Sequence, residues 1–326
     1  MPIPSNWSED LRRYVQSWKA SPASEEYIGD RPFPNFVVTD AAQSWHDWLV
    51  WVNELTGSWC FRGQREASWF LDTSLDRGVH VVYSGHDDQS GYHFSGHFKL
   101  DRKTEQGELL LKFKQQAHHH FSQLPAADDL ASWLALMQHH GVPTRLLDWT
   151  ASPHVALYFA EAEEPREHSD PCSAVWAIDR DWLRAKADEL LGPAILPVTQ
   201  ADAVSRTEGA NRLLGQAEKS LIVEIAPAMM SARMEAQQGI LLCKLRHEAT
   251  FNQMLMRMMT HPDVEERPVI RKLEVARQLR MDSLYRLREM NIHSASLFPG
   301  IDGFGQMLKH DLEIKAWMAG QGASRV

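Results

Sequence analysis

An arginine and a glycine interrupt the short apolar run at Phe61-Arg62-Gly63-Gln64. A guanidinium at the end of a strand suits a phosphate or a carboxylate, because its planar fork of donors can bind two oxygens at once. A glycine beside it lets a ligand approach the backbone closely. The alternative interpretation is a structural ion pair between Arg62 and Asp72 or Asp76. The segment therefore predicts either an anion site or an ion pair that stabilises the fold.

A second polar run, residues 138–150, leads directly into a helical pattern at residues 152–162. A helix amino terminus that faces the end of a strand offers unpaired N–H groups to an anion, and the hydroxyls of Thr150 and Ser152 lie beside it. Alternatively, Asp148 and Ser152 only cap the helix. The spacing of these residues leaves both interpretations open.

Both runs belong to a longer pattern that resembles the FRG domain family. Its first part is Phe61-Arg62-Gly63-Gln64 followed by Leu71-Asp72-Thr73-Ser74-Leu75-Asp76-Arg77. Its central block is Gln138-His139-His140-Gly141-Val142-Pro143-Thr144-Arg145-Leu146-Leu147-Asp148-Trp149-Thr150, followed by Ala156-Leu157-Tyr158-Phe159-Ala160. Later parts are Arg233-Met234-Glu235-Ala236-Gln237-Gln238-Gly239 and Ser296-Leu297-Phe298-Pro299-Gly300-Ile301-Asp302-Gly303. The matched pattern extends over most of the chain.

In layout, this family is similar to ADP-ribosyltransferases of the arginine, serine, glutamate type, in which NAD lies in a cleft between two sheets. The resemblance implies an α+β fold with a split, mostly antiparallel β-sheet core flanked by helices. It implies that Arg62 holds the diphosphate of NAD, that the backbone of Gly63 holds the nicotinamide amide, and that Thr150 with Asp148 stands in the second motif. A glutamate would stabilise the cation-like transition state, and Glu235 is the acid nominated for that role.

The resemblance also assigns further candidates by their positions in the pattern. Gln64, Arg145, Trp149 and Gln237 are expected to contact the nucleotide, and His140 is expected to act as an acid or base near neutral pH. Two departures from the transferase pattern stand out. The second motif has Asp148-Trp149-Thr150 in place of a serine-threonine-serine triplet, and no Glu-x-Glu or Gln-x-Glu spacing occurs around Glu235.

The implied function is the transfer of ADP-ribose from NAD, as a substrate, to a protein or nucleic-acid acceptor, in a setting such as a bacterial toxin or an antiphage defence system. A second hypothesis is a non-enzymatic module that senses a nucleotide or a partner. A third is a metal-dependent, nuclease-like defence effector in which Asp148, Glu235 and Asp302 are metal carboxylates.

Histidine runs at residues 118–120 and 139–140 invite a metal site. Adjacent helical histidines point about 100° apart, however, so a run cannot ligate one ion, and the His-x-x-x-His spacing of a zinc helix is absent from both runs. The sequence therefore predicts no metal at these runs. No GxGxxG or Walker motif occurs, so NAD would not be bound by a doubly wound sheet.

The elements that would position these residues follow from apolar spacing. A helix is predicted from Asp40 to Leu55, with Thr39 or Asp40 as its cap, and another over residues 267–290. Strands are predicted near Arg62, Asp148, Trp176, Val223 and Leu242. Residues 1–36 form a lead-in with a short helix around residues 10–18, residues 37–326 form one domain, and residues 79–107 are an inserted loop or small hairpin.

Composition limits where the protein works. The chain has 326 residues and a formal net charge of -9, which excludes a globally basic surface for duplex nucleic acid. Its three cysteines, Cys60, Cys172 and Cys243, are far apart, which favours free thiols in a reducing compartment and no disulfide-linked partner. No apolar run is long enough to cross a bilayer, so the sequence predicts a cytoplasmic protein without a membrane partner.

Overall fold

The computed structural model of the protein describes residues 37–86, 93–165, 170–191, 203–216, 218–228, 230–259 and 268–323. The strands are β1 Val37–Ala42, β2 Trp59–Gln64, β3 His80–His86, β4 His93–Lys99, β5 Leu146–Thr150, β6 Cys172–Asp179, β7 Ile222–Ile225, β8 Gly239–Lys244 and β9 Ile270–Ala276. The predicted lead-in helix at residues 10–18 lies outside the described residues.

Helices connect and cover these strands. They are α1 Trp45–Glu54, α2 Ser74–Val79, α3 Arg102–Ala117, α4 Leu130–His139, α5 Pro153–Glu161, α6 Arg180–Leu191, α7 Ala203–Leu214, α8 Ala232–Ala236, α9 Phe251–Met259, α10 Arg280–Glu289, α11 Ser294–Leu297 and α12 Ile301–Ala323. A short 3-10 turn, Arg277–Leu279, precedes α10.

Seven strands form one sheet in the order β1-β9-β6-β2-β5-β8-β7, and β3 and β4 form a separate hairpin. Every pairing in the large sheet is antiparallel except that of β1 with β9. The predicted α+β class with a mostly antiparallel sheet flanked by helices is confirmed. Residues 79–107 contain the hairpin, which was one of the two forms expected there.

The sheet opens between its two central strands. β2 pairs with β6 along six residues, but its pairing with β5 is a single pair, Phe61 with Thr150. Beyond that pair the two strands diverge from regular hydrogen bonding, so the sheet consists of a four-strand half and a three-strand half. The residues that follow Phe61 on β2 and precede Thr150 on β5 therefore face this opening.

Two apolar clusters pack on the opposite faces of the sheet. One contains Trp176 and Leu242 together with Leu134 of α4 and Met254 of α9. The other contains Phe61, Val175 and Leu273 together with Trp48 of α1 and Leu157 of α5. Burying large side chains on both faces fixes the strands, since one fully buried aliphatic or aromatic side chain contributes about 1.5–3 kcal/mol.

A buried ionic cluster joins α2 to β8. The Asp76 carboxylate lies 2.6 Å from Lys244 Nζ and 2.8 Å from Arg102 Nε, and the Lys244 side chain is 0% exposed. Asp76 Oδ2 also accepts hydrogen bonds from Thr73 Oγ1 at 2.8 Å and from the backbone N–H of Phe251 at 3.2 Å. Asp76 thus serves the fold, and it is fully occupied by partners other than Arg62.

Two predicted helices begin later than expected, because their first residues form strands of the sheet. Residues 37–42 pair with β9 as an edge strand, so the first helix begins after Asp40, at Trp45, with Ser44 as its cap. Residues 270–276 pair with both β1 and β6, so the predicted helix at 267–290 is wrong in its first half. Ile270 and Leu273 are three apart, as on a helix, but tertiary pairing overrides that spacing.

Among the described residues, no helix combines the length and the apolar character needed to cross a bilayer.

Candidate functional site

A cleft of about 920 Å³ lies beside the opening between β2 and β5. It is lined by Phe61, Arg62, Gly63, Gln64, Arg65, Ser68, Trp69, Phe70, Asp72, Arg77, Asp148, Trp149, Thr150, Phe159, Glu163, Arg233 and Gln237. The structure thus brings seven of the sequence candidates into one cavity: Arg62, Gly63, Gln64, Asp148, Trp149, Thr150 and Gln237. Its volume lies within the range of about 300–1,000 Å³ that is usual for small-molecule sites.

Arg62 reaches across the opening. Its Nη1 donates a hydrogen bond of 2.6 Å to the carbonyl oxygen of Asp148, whereas its Nε is buried and has no partner within the described residues. No carboxylate pairs with Arg62 in the described part of the chain, so the ion pair with Asp72 or Asp76 is not formed. Burial lowers the pKa of Arg62 to about 10, which leaves the guanidinium charged at neutral pH. A cation with a free donor therefore lines the cleft.

Gly63 has a structural role that the sequence did not reveal. A Cβ at this position would lie 1.9 Å from the carbonyl oxygen of Ala156 and 2.6 Å from the amide nitrogen of Ala160. Glycine is therefore needed because α5 packs directly against the backbone of β2. Close helix packing accounts for this glycine without invoking the approach of a ligand.

The end of β5 combines the accessible carboxylate of Asp148 with the hydroxyl of Thr150, which is held by the fold. Asp148 is exposed, and its Oδ2 accepts a hydrogen bond of 3.0 Å from Gln138 Nε2. The Thr150 hydroxyl donates to the carbonyl oxygen of Gln237 at 2.7 Å and accepts from the N–H of Ser152 at 3.0 Å. Thr150 therefore ties β5 to the α8–β8 connection, while Asp148 is available to a ligand.

The start of α5 is capped by Ser152. Its Oγ accepts a hydrogen bond of 3.3 Å from the N–H of Val155, and Pro153 occupies the first turn. The capping interpretation therefore holds for Ser152 and not for Asp148. Trp149, on the same strand end, is 3% exposed and its indole N–H has no partner among the described residues. Trp149 therefore has a buried donor that no described protein group satisfies.

Two glutamines support the walls of the cleft. Gln64 Oε1 accepts a hydrogen bond of 2.7 Å from Trp176 Nε1, and its Nε2 donates to the carbonyl oxygen of Phe70 at 3.0 Å. Gln237 Nε2 donates to the carbonyl oxygen of Leu297 at 3.0 Å. These amide groups are hydrogen-bonded to other parts of the protein. They therefore contribute to the shape of the cavity more than to the binding of a ligand.

The charged lining consists of four arginines and three acids. Arg65 is paired with Glu66 and with Glu163. Arg77 Nη1 donates to the carbonyl oxygen of Asp72 at 2.5 Å, and the Arg233 guanidinium lies 4.6 Å from the centre of the Phe298 ring. Neither Arg77 nor Arg233 has a carboxylate partner within the described residues. The cleft is thus locally cationic on a chain of net charge -9.

Asp72 is an acid of the cleft whose pKa is raised. Burial, and secondarily the nearby charge of Asp76, raise the pKa of Asp72 to about 6. Its Oδ1 is buried and has no hydrogen-bond partner among the described residues. A carboxyl group with a pKa close to neutral pH can exchange a proton with a bound ligand.

Three sequence candidates lie outside the cleft lining: Arg145, His140 and Glu235. Arg145 is 2% exposed and donates to the carbonyl oxygens of Leu245 at 3.0 Å and Leu214 at 3.3 Å, so it holds loops together inside the protein. His140 ends α4, with its ring centre 5.0 Å from that of Phe121. Glu235 is exposed on α8 and does not line the cavity.

Ten of the lining residues were not among the sequence candidates, including Arg65, Trp69, Phe70, Arg77 and Arg233. The sequence contained a signal for these five residues. The first three directly follow the Phe61–Gln64 segment, and Arg77 and Arg233 occupy positions within the quoted motifs. Within the described ranges, no group of three or more His, Cys, Asp or Glu side chains is arranged to hold a metal ion.

One comparison with known proteins supports the first part and the central block of the motif pattern, whereas the later parts, residues 233–239 and 296–303, lie outside the matched range. Residues 57–169 match the FRG domain, a range that contains both the Phe61–Gln64 segment and the central block up to Thr150. Neither the curated proteins nor the solved structures contain a significant match to this chain.

Proposed function

We propose, from the premise that the chain contains an FRG domain over residues 57–169, that its cleft binds NAD and that the protein transfers ADP-ribose to a protein or nucleic-acid acceptor. The observation that carries this proposal is the guanidinium of Arg62, which lines a cavity of about 920 Å³, has no carboxylate partner among the described residues and retains an unpaired buried N–H.

A diphosphate would satisfy the cationic side of this cavity. Arg62, Arg77 and Arg233 lack carboxylate partners in the described part of the chain, and guanidinium groups bind phosphate oxygens in pairs of hydrogen bonds. Hydrogen bonds to charged groups contribute about 1.5–3 kcal/mol each. Two such arginines at one diphosphate would give micromolar binding when the rest of the ligand contributes as well.

The proposed reaction replaces one bond at the ribose. The bond between C1′ and the nicotinamide nitrogen breaks, and nicotinamide leaves with the electron pair. A nucleophile of the acceptor then bonds to C1′ and loses its proton. Asp148 is the carboxylate proposed to stabilise the cation-like transition state, in place of Glu235, because it is exposed in the cleft and held in position by Gln138. Asp72 would accept the proton.

Labelled NAD tests this proposal. The full chain, incubated with NAD that carries the label in its adenosine part, should release nicotinamide and transfer label to a bacterial extract. Arg62→Ala and Asp148→Asn should abolish release, while Arg286→Ala, at an exposed position of α10 outside the cavity lining, should not. Absence of both release and binding would refute the proposal, and cleavage of nucleic acid that depends on a divalent cation would favour the nuclease hypothesis.

The sensing module is the second candidate, and two observations favour it. The residue nominated as the catalytic glutamate, Glu235, lies outside the cleft, and the Thr150 hydroxyl is already bonded to the protein. NAD binding without nicotinamide release would support the sensor over the enzyme. A cytoplasmic location and a role as a toxin or in antiphage defence belong to either version of the proposal.

A further inference from the structure

Two consecutive aromatic side chains stand exposed at the cleft. Trp69 is 46% exposed and Phe70 is 39% exposed, and both line the cavity. Every other tryptophan within the described residues is buried or half-buried. Single exposed apolar residues are common on protein surfaces, but a pair of large aromatic residues at the wall of a polar cavity indicates a surface that a ligand covers.

Trp69 stacks on a guanidinium that is itself fixed by the protein. The Arg65 guanidinium lies 5.1 Å from the centre of the Trp69 ring. Arg65 is itself 8% exposed and is paired with Glu66 and with Glu163. A stacked guanidinium that is fixed by two carboxylates restricts the ring, so less conformational entropy is lost when a ligand stacks on it.

Phe70 is anchored through its backbone. Its carbonyl oxygen accepts the hydrogen bond from Gln64 Nε2, and Gln64 is fixed by Trp176 of the neighbouring strand β6. The segment that carries the two rings is therefore attached directly to β2, the strand that carries Arg62. The same segment continues to Arg77, whose guanidinium lines the cavity as well.

We propose that Trp69 and Phe70 form a stacking site for the nucleobase of a nucleotide whose phosphates bind Arg62 and Arg77. This inference rests on the proposed function and specifies its ligand as one that combines a planar heterocyclic ring with a diphosphate. An aromatic face can stack on any base. The site therefore distinguishes a nucleotide from a free diphosphate more strongly than it distinguishes one base from another.

A mononucleotide or dinucleotide fits better than a single-stranded nucleic acid. The cavity has a definite volume of about 920 Å³, bounded by β2, β5, α5 and the α8 segment. The chain as a whole carries a net charge of -9, which disfavours a long polyanion. Local arginines can still neutralise the few charges of one diphosphate.

Titration calorimetry of the full chain with ADP and with inorganic pyrophosphate tests the stacking site. ADP should bind at least tenfold more tightly than pyrophosphate, because both carry a diphosphate but only ADP carries a base. Trp69→Ala should reduce the ADP affinity by about tenfold and leave the pyrophosphate affinity unchanged, whereas Trp69→Phe should retain most of the ADP affinity. Phe304→Ala is the matched control, since Phe304 is 47% exposed on α12 and outside the cavity.

The outcomes separate the two proposals. If pyrophosphate and ADP bind with equal affinity to the unaltered protein, the stacking site is refuted while phosphate binding stands. If neither binds, both proposals fail. Tighter binding of a thymidine oligonucleotide than of ADP would refute the nucleotide assignment in favour of single-stranded nucleic acid. The comparison of ADP with pyrophosphate in the unaltered protein tests the stacking site even if Trp69→Ala fails to fold.

Discussion

The guanidinium of Arg62 is hydrogen-bonded, at 2.6 Å, to the carbonyl oxygen of Asp148 on the neighbouring strand. This contact connects β2 and β5 at the point where their regular pairing ends, next to the pair Phe61 and Thr150. A backbone carbonyl that is left free by the opening of the sheet is thus satisfied by a side chain. The same side chain lines the cavity and has a buried Nε without a partner among the described residues, so Arg62 both bridges the sheet and places a charge at the cavity.

Gly63→Ala should destabilise the protein severely. The added methyl group would overlap the carbonyl oxygen of Ala156, which is backbone and cannot move without shifting α5. We expect a loss of at least about 3 kcal/mol in the free energy of unfolding, measured by urea denaturation. Gly107→Ala in α3, where an added Cβ would have no other atom within 4 Å, is the control and should be neutral or stabilising by up to about 1 kcal/mol. Equal effects of the two substitutions would contradict the helix packing described here.

Asp76→Asn should cost far more stability than the loss of an exposed ion pair. It would leave the buried cations of Lys244 and Arg102 without their carboxylate, at an expected cost of about 3–5 kcal/mol. Glu108→Gln, which removes an exposed pair with Lys112, should cost less than about 1 kcal/mol. Thermal unfolding at low and high salt measures both. A small effect for Asp76→Asn would show that the cluster is not essential to the fold.

Asp72→Asn should stabilise the protein at neutral pH. Because burial raises the pKa of Asp72 from 3.8 to about 6, the folded state binds a proton more tightly than the unfolded state, and stability falls as pH rises through that interval. Removing the charge should raise the free energy of unfolding by about 2–3 kcal/mol at pH 7.5 and should have little effect at pH 4. A gain of equal size at both pH values would show that ionisation of Asp72 is not its cause.

The same group should make NAD binding depend on pH. The diphosphate of NAD keeps its charge between pH 5.5 and 7.5, whereas Asp72 loses a proton in this range and then repels the ligand. We expect the affinity to be about fivefold higher at pH 5.5 than at pH 7.5, since a nearby like charge costs about 1 kcal/mol in water. Calorimetry on Asp72→Asn should show no such difference, and a dependence that persists in this variant would assign it to another group.

Local sequence patterns predicted the strands that build the centre of the sheet. The apolar run that ends at Arg62, the extended run up to Trp149 and the short β-branched run near Val223 are all strands. Ser152 was predicted to cap the helix that follows β5, and it does so. These features depend on neighbours in the chain, so the sequence alone contains the information.

Other features depend on contacts between distant residues. Residues 270–276 have apolar spacing that also suits a helix, and only the pairing with β1 and β6 makes them a strand. Gly63 suggested the approach of a ligand, but the helix at Ala156 supplies the constraint. Glu235 lies near β8 in the sequence and yet is exposed outside the cleft, because a short helix turns its side chain away. No local pattern contains these long-range relations.

The central claim is that Arg62 binds the phosphates of a nucleotide in the cleft. Calorimetric titration of NAD into the full chain tests it most directly, with Arg62→Ala compared against Arg286→Ala, whose guanidinium pairs with Asp282 on the exposed side of α10. Loss of one charged contact should weaken NAD binding by about tenfold to a hundredfold in Arg62→Ala and leave Arg286→Ala unchanged. A folded Arg62→Ala variant that binds NAD as tightly as the unaltered protein would contradict the account, as would an unaltered protein that binds no NAD.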